Sequence, residues 1–186
     1  MRSISVAAPH HGSRVALRSP GMTVVGWRRL AFAGTSMRRL VNGTAVVWRG
    51  QGVLILGPSG AGKSDLTLRL IDSGATLIAD DVVEMKRDGD RLLLSFPPEG
   101  PGDLKGKMEV KGLGIMSVPA APPEVPLALV VRSTPPAEVE LIPESLESEW
   151  LDLPVATIGI HLLEPSAPAK VRLALAKLTR SIIPPS

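Results

Sequence analysis

Cysteine is absent from all 186 residues, which excludes disulfides, thiolate nucleophiles and cysteine-ligated zinc. Tyrosine is absent too. Three Trp and two Phe are the whole aromatic complement, so the stacking platforms on which single-stranded nucleic acid binds are missing. His10, His11 and His161 are too few and too scattered for a zinc site. No apolar run approaches the ~18 residues of a membrane helix. Acid is missing from the first 64 residues, which carry nine Lys/Arg and a charge of +9; the other twelve face all eighteen acids, a charge of −6. The net +3 therefore hides a mildly acidic body, which argues against nucleic acid as a partner.

What is present is one domain's worth of chain with 18 Gly and 18 Pro, hence many turns. Residues 1–36 read as a basic tail: Arg2, Arg14, Arg18, Arg28 and Arg29 stand among Ser, Gly, Ala and Pro without an apolar period. Arginine interrupts each stretch that could serve as a secretory h-region, and a cytoplasmic protein is expected. The tail is either disordered or an over-extended frame ahead of Met37. Residues 37–186 form the expected domain. Thr44–Trp48 and Val53–Leu56 predict a hairpin feeding a buried strand, followed by a glycine-rich loop and a helix over Ser64–Ile71, with Leu66, Leu68, Leu70 and Ile71 as its apolar block. Thr76–Ala79 predicts a strand, and Asp88-Gly89 a hairpin turn between Val82–Lys86 and Arg91–Phe96. Residues 97–114 are rich in Pro and Gly and read as irregular. Further strands are expected at Ile115–Val118, Leu127–Arg132, Val139–Ile142 and Thr157–Leu163. An amphipathic helix is expected over Ala167–Arg180, with Val171, Leu173, Leu175 and Leu178 on its apolar face. The class is α/β, richer in strand than in helix.

Gly57-Pro58-Ser59-Gly60-Ala61-Gly62-Lys63-Ser64 matches G-x-x-x-x-G-K-[ST] at each position, between a buried strand and a helix. Glycines let successive backbone N–H groups turn inward around phosphate oxygens. Lys63 adds a point positive charge for the β- and γ-phosphates, and Ser64 a hydroxyl for Mg²⁺. Asp80 and Asp81 follow at the carboxyl end of the next strand, where α/β sheets present ligands. One carboxylate there can hold Mg²⁺ while the other deprotonates an attacking hydroxyl. A solvated Asp-Asp turn is the competing reading. On composition alone Glu109 reads as an exposed loop carboxylate, His161 as a packed or surface histidine, and Trp48 and Trp150 as core or interface fillers.

In order and spacing these segments resemble the catalytic, C-terminal domain of HPr kinase/phosphorylase in its short alphaproteobacterial form. The resemblance runs through Asn42-Gly43-Thr44-Ala45-Val46-Val47, Gly52 to Leu66, Leu77-Ile78-Ala79-Asp80-Asp81 and Glu109-Val110-Lys111-Gly112-Leu113-Gly114-Ile115, and reappears in Pro165 to Val171. It implies a P-loop fold of the phosphoenolpyruvate carboxykinase type. It also implies ATP- and Mg²⁺-dependent phosphorylation of a seryl hydroxyl on an HPr-like phosphocarrier of the phosphotransferase system, and a homo-oligomer, commonly hexameric. By motif match Lys63 binds phosphate, Asp80 accepts the seryl proton, and Ser64 and Glu109 serve the metal; Asp81 is the metal carboxylate of the residue-level reading. Four departures stand out. Asn42 replaces a His, Pro58 an Asp common in the full-length family, and Lys111 an Arg. The family's N-terminal regulatory domain and the C-terminal arginine segment tied to dephosphorylation have no match, which argues against phosphorylase activity. A nucleotide-sensing regulator without transfer activity and a small-molecule P-loop kinase remain the alternatives.

Overall fold

The structure, a computed structural model, describes residues 37–141 and 146–180; the expected tail at 1–36 lies outside the described residues. In chain order the elements are β1 (Arg38–Asn42), β2 (Thr44–Trp48), β3 (Gln51–Leu56), α1 (Lys63–Asp72), β4 (Thr76–Ala79), β5 (Val82–Asp88), β6 (Arg91–Ser95), β7 (Lys107–Val110), β8 (Gly114–Ser117), β9 (Val125–Ser133), β10 (Glu147–Trp150), β11 (Leu153–Ile160) and α2 (Ala167–Arg180). The main sheet runs β1-β5-β6-β9-β3-β2-β4, with β11 on β9 and β10 on β11; β7 and β8 form a separate hairpin. β3, β9 and β11 are mutually parallel, and the other pairings are antiparallel.

The continuous apolar runs of the central strands follow from burial on both faces. Val46, Val53, Ile55, Leu129 and Val131 enter one core, into which Leu66 and Leu70 of α1 and Val171 and Leu175 of α2 also pack. Their alternate neighbours Ala45, Val47, Leu54 and Val130 enter a second core, shared with Val41, Val83, Met85 and Leu94 of β1, β5 and β6. With a side-chain period of two, each strand feeds both cores. Helix spacing of four residues places Leu66 with Leu70 and Val171 with Leu175. Leu68 and Leu173 fall off those stripes and are exposed.

Both hairpins expected from the sequence form. Arg49 and Gly50 take φ of 49° and 79° between β2 and β3, the positive values of a two-residue turn. Between β5 and β6 the closing pair is Asp88 with Arg91, so the loop residues are Gly89 and Asp90, one position later than the sequence suggests. The expected strand at Val139–Ile142 does not form over 139–141, and Ile142 lies outside the described residues. Pro135 and Pro136 instead start a short 3₁₀ turn at Pro136–Glu138, because neither can donate to a ladder. β11 stops at Ile160 rather than Leu163, for Leu162 and Leu163 turn toward α1. The irregular reading of 97–114 also missed β7, whose partner β8 supplies the ladder. No helix among the described residues is long and apolar enough to cross a membrane.

Candidate nucleotide and phosphotransfer site

The phosphate loop leaves β3 at Leu56 and enters α1 at Lys63. Gly60 and Gly62 have φ of 80° and 96°, the left-handed region in which a side chain is strained. A Cβ on Gly62 would also stand 2.5 Å from Leu163 Cδ2, so that position needs glycine on two counts. No side chain caps α1 at Gly62, and the first intrahelical bond runs from Leu66 N–H to the Gly62 carbonyl. The N–H groups of the first turn are therefore left for an anion, at the positive end of the helix. Lys63 Nζ donates to the Gly57 and Pro58 carbonyls at 2.9 and 3.1 Å. Two neutral acceptors leave its charge uncompensated and one N–H free to turn toward phosphate. Asp65 in the same turn is matched by Arg69 at 2.6 Å.

A cavity of about 640 Å³ opens over this loop, lined by Ser59, Gly60, Gly62, Lys63 and Ser64 and, across from them, by Asp80, Asp81 and Glu109. Gly57, Pro58 and Ala61 form the back of the loop: Ala61 N–H closes onto the Pro58 carbonyl, and Gly57 seats against Ser133. Sequence reasoning overlooked Leu68, Val110, Lys111 and Leu163 as cavity walls. Leu68 carried a signal: an apolar residue off the buried stripe of α1 has to face something other than the core.

Asp80 and Asp81 sit in the sharp passage from β4 to β5. Val82 N–H bonds to the Asp80 carbonyl at 2.8 Å, the i to i+2 closure of a γ-turn, and its central residue Asp81 takes φ of 63°. Gly43 N–H holds the Asp81 carbonyl at 2.9 Å from the β1–β2 corner, where a Cβ would come within 2.8 Å of the Ile55 carbonyl. Strain of this kind persists where neighbours fix it, and it aims the two carboxylates differently. Asp81 is exposed. Asp80 is half-buried; its Oδ1 accepts the Thr44 hydroxyl at 2.8 Å and its Oδ2 the Glu109 N–H at 3.3 Å. Burial pushes its carboxyl above the ordinary 3.8, assisted by the neighbouring Asp81 charge and opposed by the Thr44 hydrogen bond. A raised carboxylate beside a phosphate loop suits proton acceptance better than metal ligation. Thr44, fully buried in an apolar strand, was the residue that β-propensity concealed. Asn42 lies opposite Val82 at the end of β1, next to the acidic turn. His161 does not line the cavity.

The oxygen donors of Ser64, Asp81 and Glu109 share this cavity and are the hard type that Mg²⁺ takes. Among the described residues no three carboxylate or imidazole groups stand together as a self-sufficient metal cage. That suits an ion bound through one or two carboxylates plus substrate phosphates.

Residues 34–121 match the family model of the HPr serine kinase C-terminal domain. The chain is 42% identical over 80 residues to an HPr kinase/phosphorylase of Peptoclostridium acidaminophilum, covering 43% of this chain and 25% of the relative. It is 34% identical over 161 residues to that of Cupriavidus metallidurans, covering 82% and 48%. The chain thus spans about a quarter to a half of the length of such relatives. The solved HPr(Ser) kinase/phosphatase of Coxiella burnetii superposes with a TM-score of 0.65 at 25% identity, over 77% of this chain and 98% of the other. The stretch that is similar to the HPr serine kinase C-terminal domain, residues 34–121, holds the phosphate loop, the Asp80–Asp81 turn and Glu109.

Proposed function

We propose that this chain is an ATP- and Mg²⁺-dependent serine-protein kinase whose acceptor is an HPr-like phosphocarrier. One observation carries the reading: a half-buried Asp80 with a raised pKa faces the phosphate loop across a single cavity. The backbone N–H groups of 60–64 and Lys63 bind the phosphate chain, and Asp80 takes the seryl proton as the oxygen attacks. Ser64, with Asp81 and Glu109, would hold Mg²⁺, which neutralises charge on the phosphates when bound. The reading covers transfer to serine only; the reverse, dephosphorylating reaction is not part of it. Action in the cytoplasm as a homo-oligomer belongs to the same reading, by likeness to the family.

The test is single-turnover transfer from ATP to the carrier, read as acid-stable phosphoserine. Asp80→Asn is expected to lose about 10²–10⁴-fold in rate with nucleotide binding little changed. Lys63→Ala is expected to weaken ATP binding by about 1–3 kcal/mol, as for a charged hydrogen bond lost. Undiminished transfer by Asp80→Asn would overturn the assignment. Nucleotide binding without any transfer by the unmodified protein would favour a sensor instead, and labelling of a small molecule would favour a metabolite kinase.

A further inference from the structure

Arg69 stands in the last turn of α1 and is not among the residues that line the cavity over the phosphate loop. Its bonds run to the turn that follows β11. The two terminal nitrogens of the guanidinium donate to the Leu162 and Glu164 carbonyls, the second at 3.0 Å, and one of them also meets Asp65 Oδ1 at 2.6 Å. The turn is tied from its other side as well. Glu164 N–H closes onto the His161 carbonyl at 3.1 Å, and the Glu164 carbonyl accepts Ala167 N–H at 3.0 Å where α2 begins. Between the two clamped carbonyls stands Leu163. The Leu162 side chain is fully buried in the core shared with α1 and α2, which throws its neighbour outward across the phosphate loop. Leu163 is 50% exposed, and its Cγ and Cδ2 occupy the space that a side chain on Gly62 would take.

Resting on the phosphate-loop part of the kinase reading above, we propose that Arg69 is a positioning residue for nucleotide binding: it holds Leu163 as a buttress on Gly62, and so fixes the backbone N–H groups that receive the phosphates. Gly62 is where the loop becomes a helix, with φ of 96° and no side chain capping α1. Glycine has the widest conformational range of any residue, so a loop built on Gly60 and Gly62 has many shapes besides the one that aims its N–H groups at an anion. A contact from outside the loop has to select that shape. An apolar side chain seated on Gly62 does so without competing for the N–H groups themselves.

A half-exposed leucine gains too little from burial to fix its own place. The clamped carbonyls on either side of it supply what burial does not. Arginine suits this task because its planar fork reaches two acceptors in fixed relative positions, where the ammonium of a lysine is a single point. Its charge has a second use. Asp65, in the first turn of α1, would repel a polyphosphate at the helix start, and the ion pair with Arg69 offsets that charge.

The test uses the full chain with two ligands, ATP and inorganic tripolyphosphate, each with Mg²⁺. Kd is measured by calorimetry, and KM for the carrier is measured alongside. Arg69→Met fills the same space without a donor. Leu163→Ala removes the buttress at a half-exposed position, where folding is least at risk; thermal melts check both. Each should weaken ATP and tripolyphosphate alike, by about tenfold, and leave the carrier KM unchanged. The double variant should bind about as well as the weaker single variant, the mark of one residue acting through the other. Arg69→Lys, which keeps the charge and one donor group, should recover part of the loss. Additive losses or full-strength binding by Leu163→Ala would overturn the inference. So would a loss for ATP with tripolyphosphate unaffected, because Leu163 would then be a contact of the nucleoside. An unmodified protein that binds neither ligand would remove the phosphate-loop reading itself. One that binds both and transfers phosphate to no carrier would remove the kinase reading and leave this inference standing.

Discussion

Asp80 shows how one side chain is set by neighbours far away in sequence. Thr44 from β2 and the Glu109 N–H from β7 hold its two oxygens, while burial raises its pKa. Between 3.8 and the raised value the folded state holds a proton that the unfolded chain has released. Folding stability from this group is therefore greatest below 3.8, falls as pH rises through the interval, and stays lower above it. Asp80→Asn should accordingly gain stability relative to the parent as pH rises from about 3 to 7, which melts across that range will measure. Thr44→Val keeps the shape of its side chain but removes the hydroxyl that favours the carboxylate. With Asp80 as the base, the acid limb of the kcat/KM–pH profile should move to higher pH in Thr44→Val. An unmoved limb would show that Asp80 is not the titrating base.

Elements carry the site through close backbone approach. β3 delivers the phosphate loop, and it does so by lying parallel to β9 with Gly52 opposite Leu127. A Cβ on Gly52 would sit 2.7 Å from the Pro126 carbonyl, with backbone rather than a flexible side chain in the way. Gly52→Ala should force the two strands apart and destabilise by about 1–3 kcal/mol, the range for overpacking. Because Gly52 lies at the opposite end of β3 from the loop, nucleotide affinity of the folded fraction should persist. Urea titration with and without nucleotide separates the two effects. Arg69 illustrates the same scale from the other side of the loop. Its guanidinium reaches the Leu162 and Glu164 carbonyls, which fixes the turn that lays Leu163 over Gly62.

At the scale of the whole molecule, the described residues fall within one compact unit. Its first strand is anchored from Met37, whose carbonyl accepts Arg87 N–H, through Arg38 paired with Lys86. A chain beginning at Met37 should therefore melt at the same temperature as the full chain and transfer phosphate at the same rate. A drop in either would assign residues 1–36 a structural role. Two cores rather than one hold the unit together, and the central strands serve both. Substitutions in β2, β3 or β9 should thus unfold the molecule as a whole, not one layer of it.

The phosphate loop was legible in the sequence because its chemistry is local: eight consecutive residues carry the glycines, the lysine and the hydroxyl, and flanking periodicity places them between strand and helix. The hairpin joining β2 to β3, the strand at Thr76–Ala79 and the helix at Ala167–Arg180 were legible for the same reason, since turn residues and apolar spacing act within a few positions, although β3 begins at Gln51 and not at Val53. Asp80 could be singled out by its place at a strand end, but its raised pKa could not, for that comes from burial in the folded chain, set against lowering hydrogen bonds from Thr44 and Glu109 at separations of 36 and 29 residues. β7 stayed hidden because a four-residue strand in a Gly- and Pro-rich stretch is stabilised by its partner and not by its own propensity. A second cavity, beside the Asp80–Asp81 turn, belongs wholly to the tertiary structure. Phe96, Leu104, Met108 and Ile115 share no local pattern, and only the packing of the 97–104 loop and the β7–β8 hairpin against the Asp80–Asp81 turn brings them to one wall.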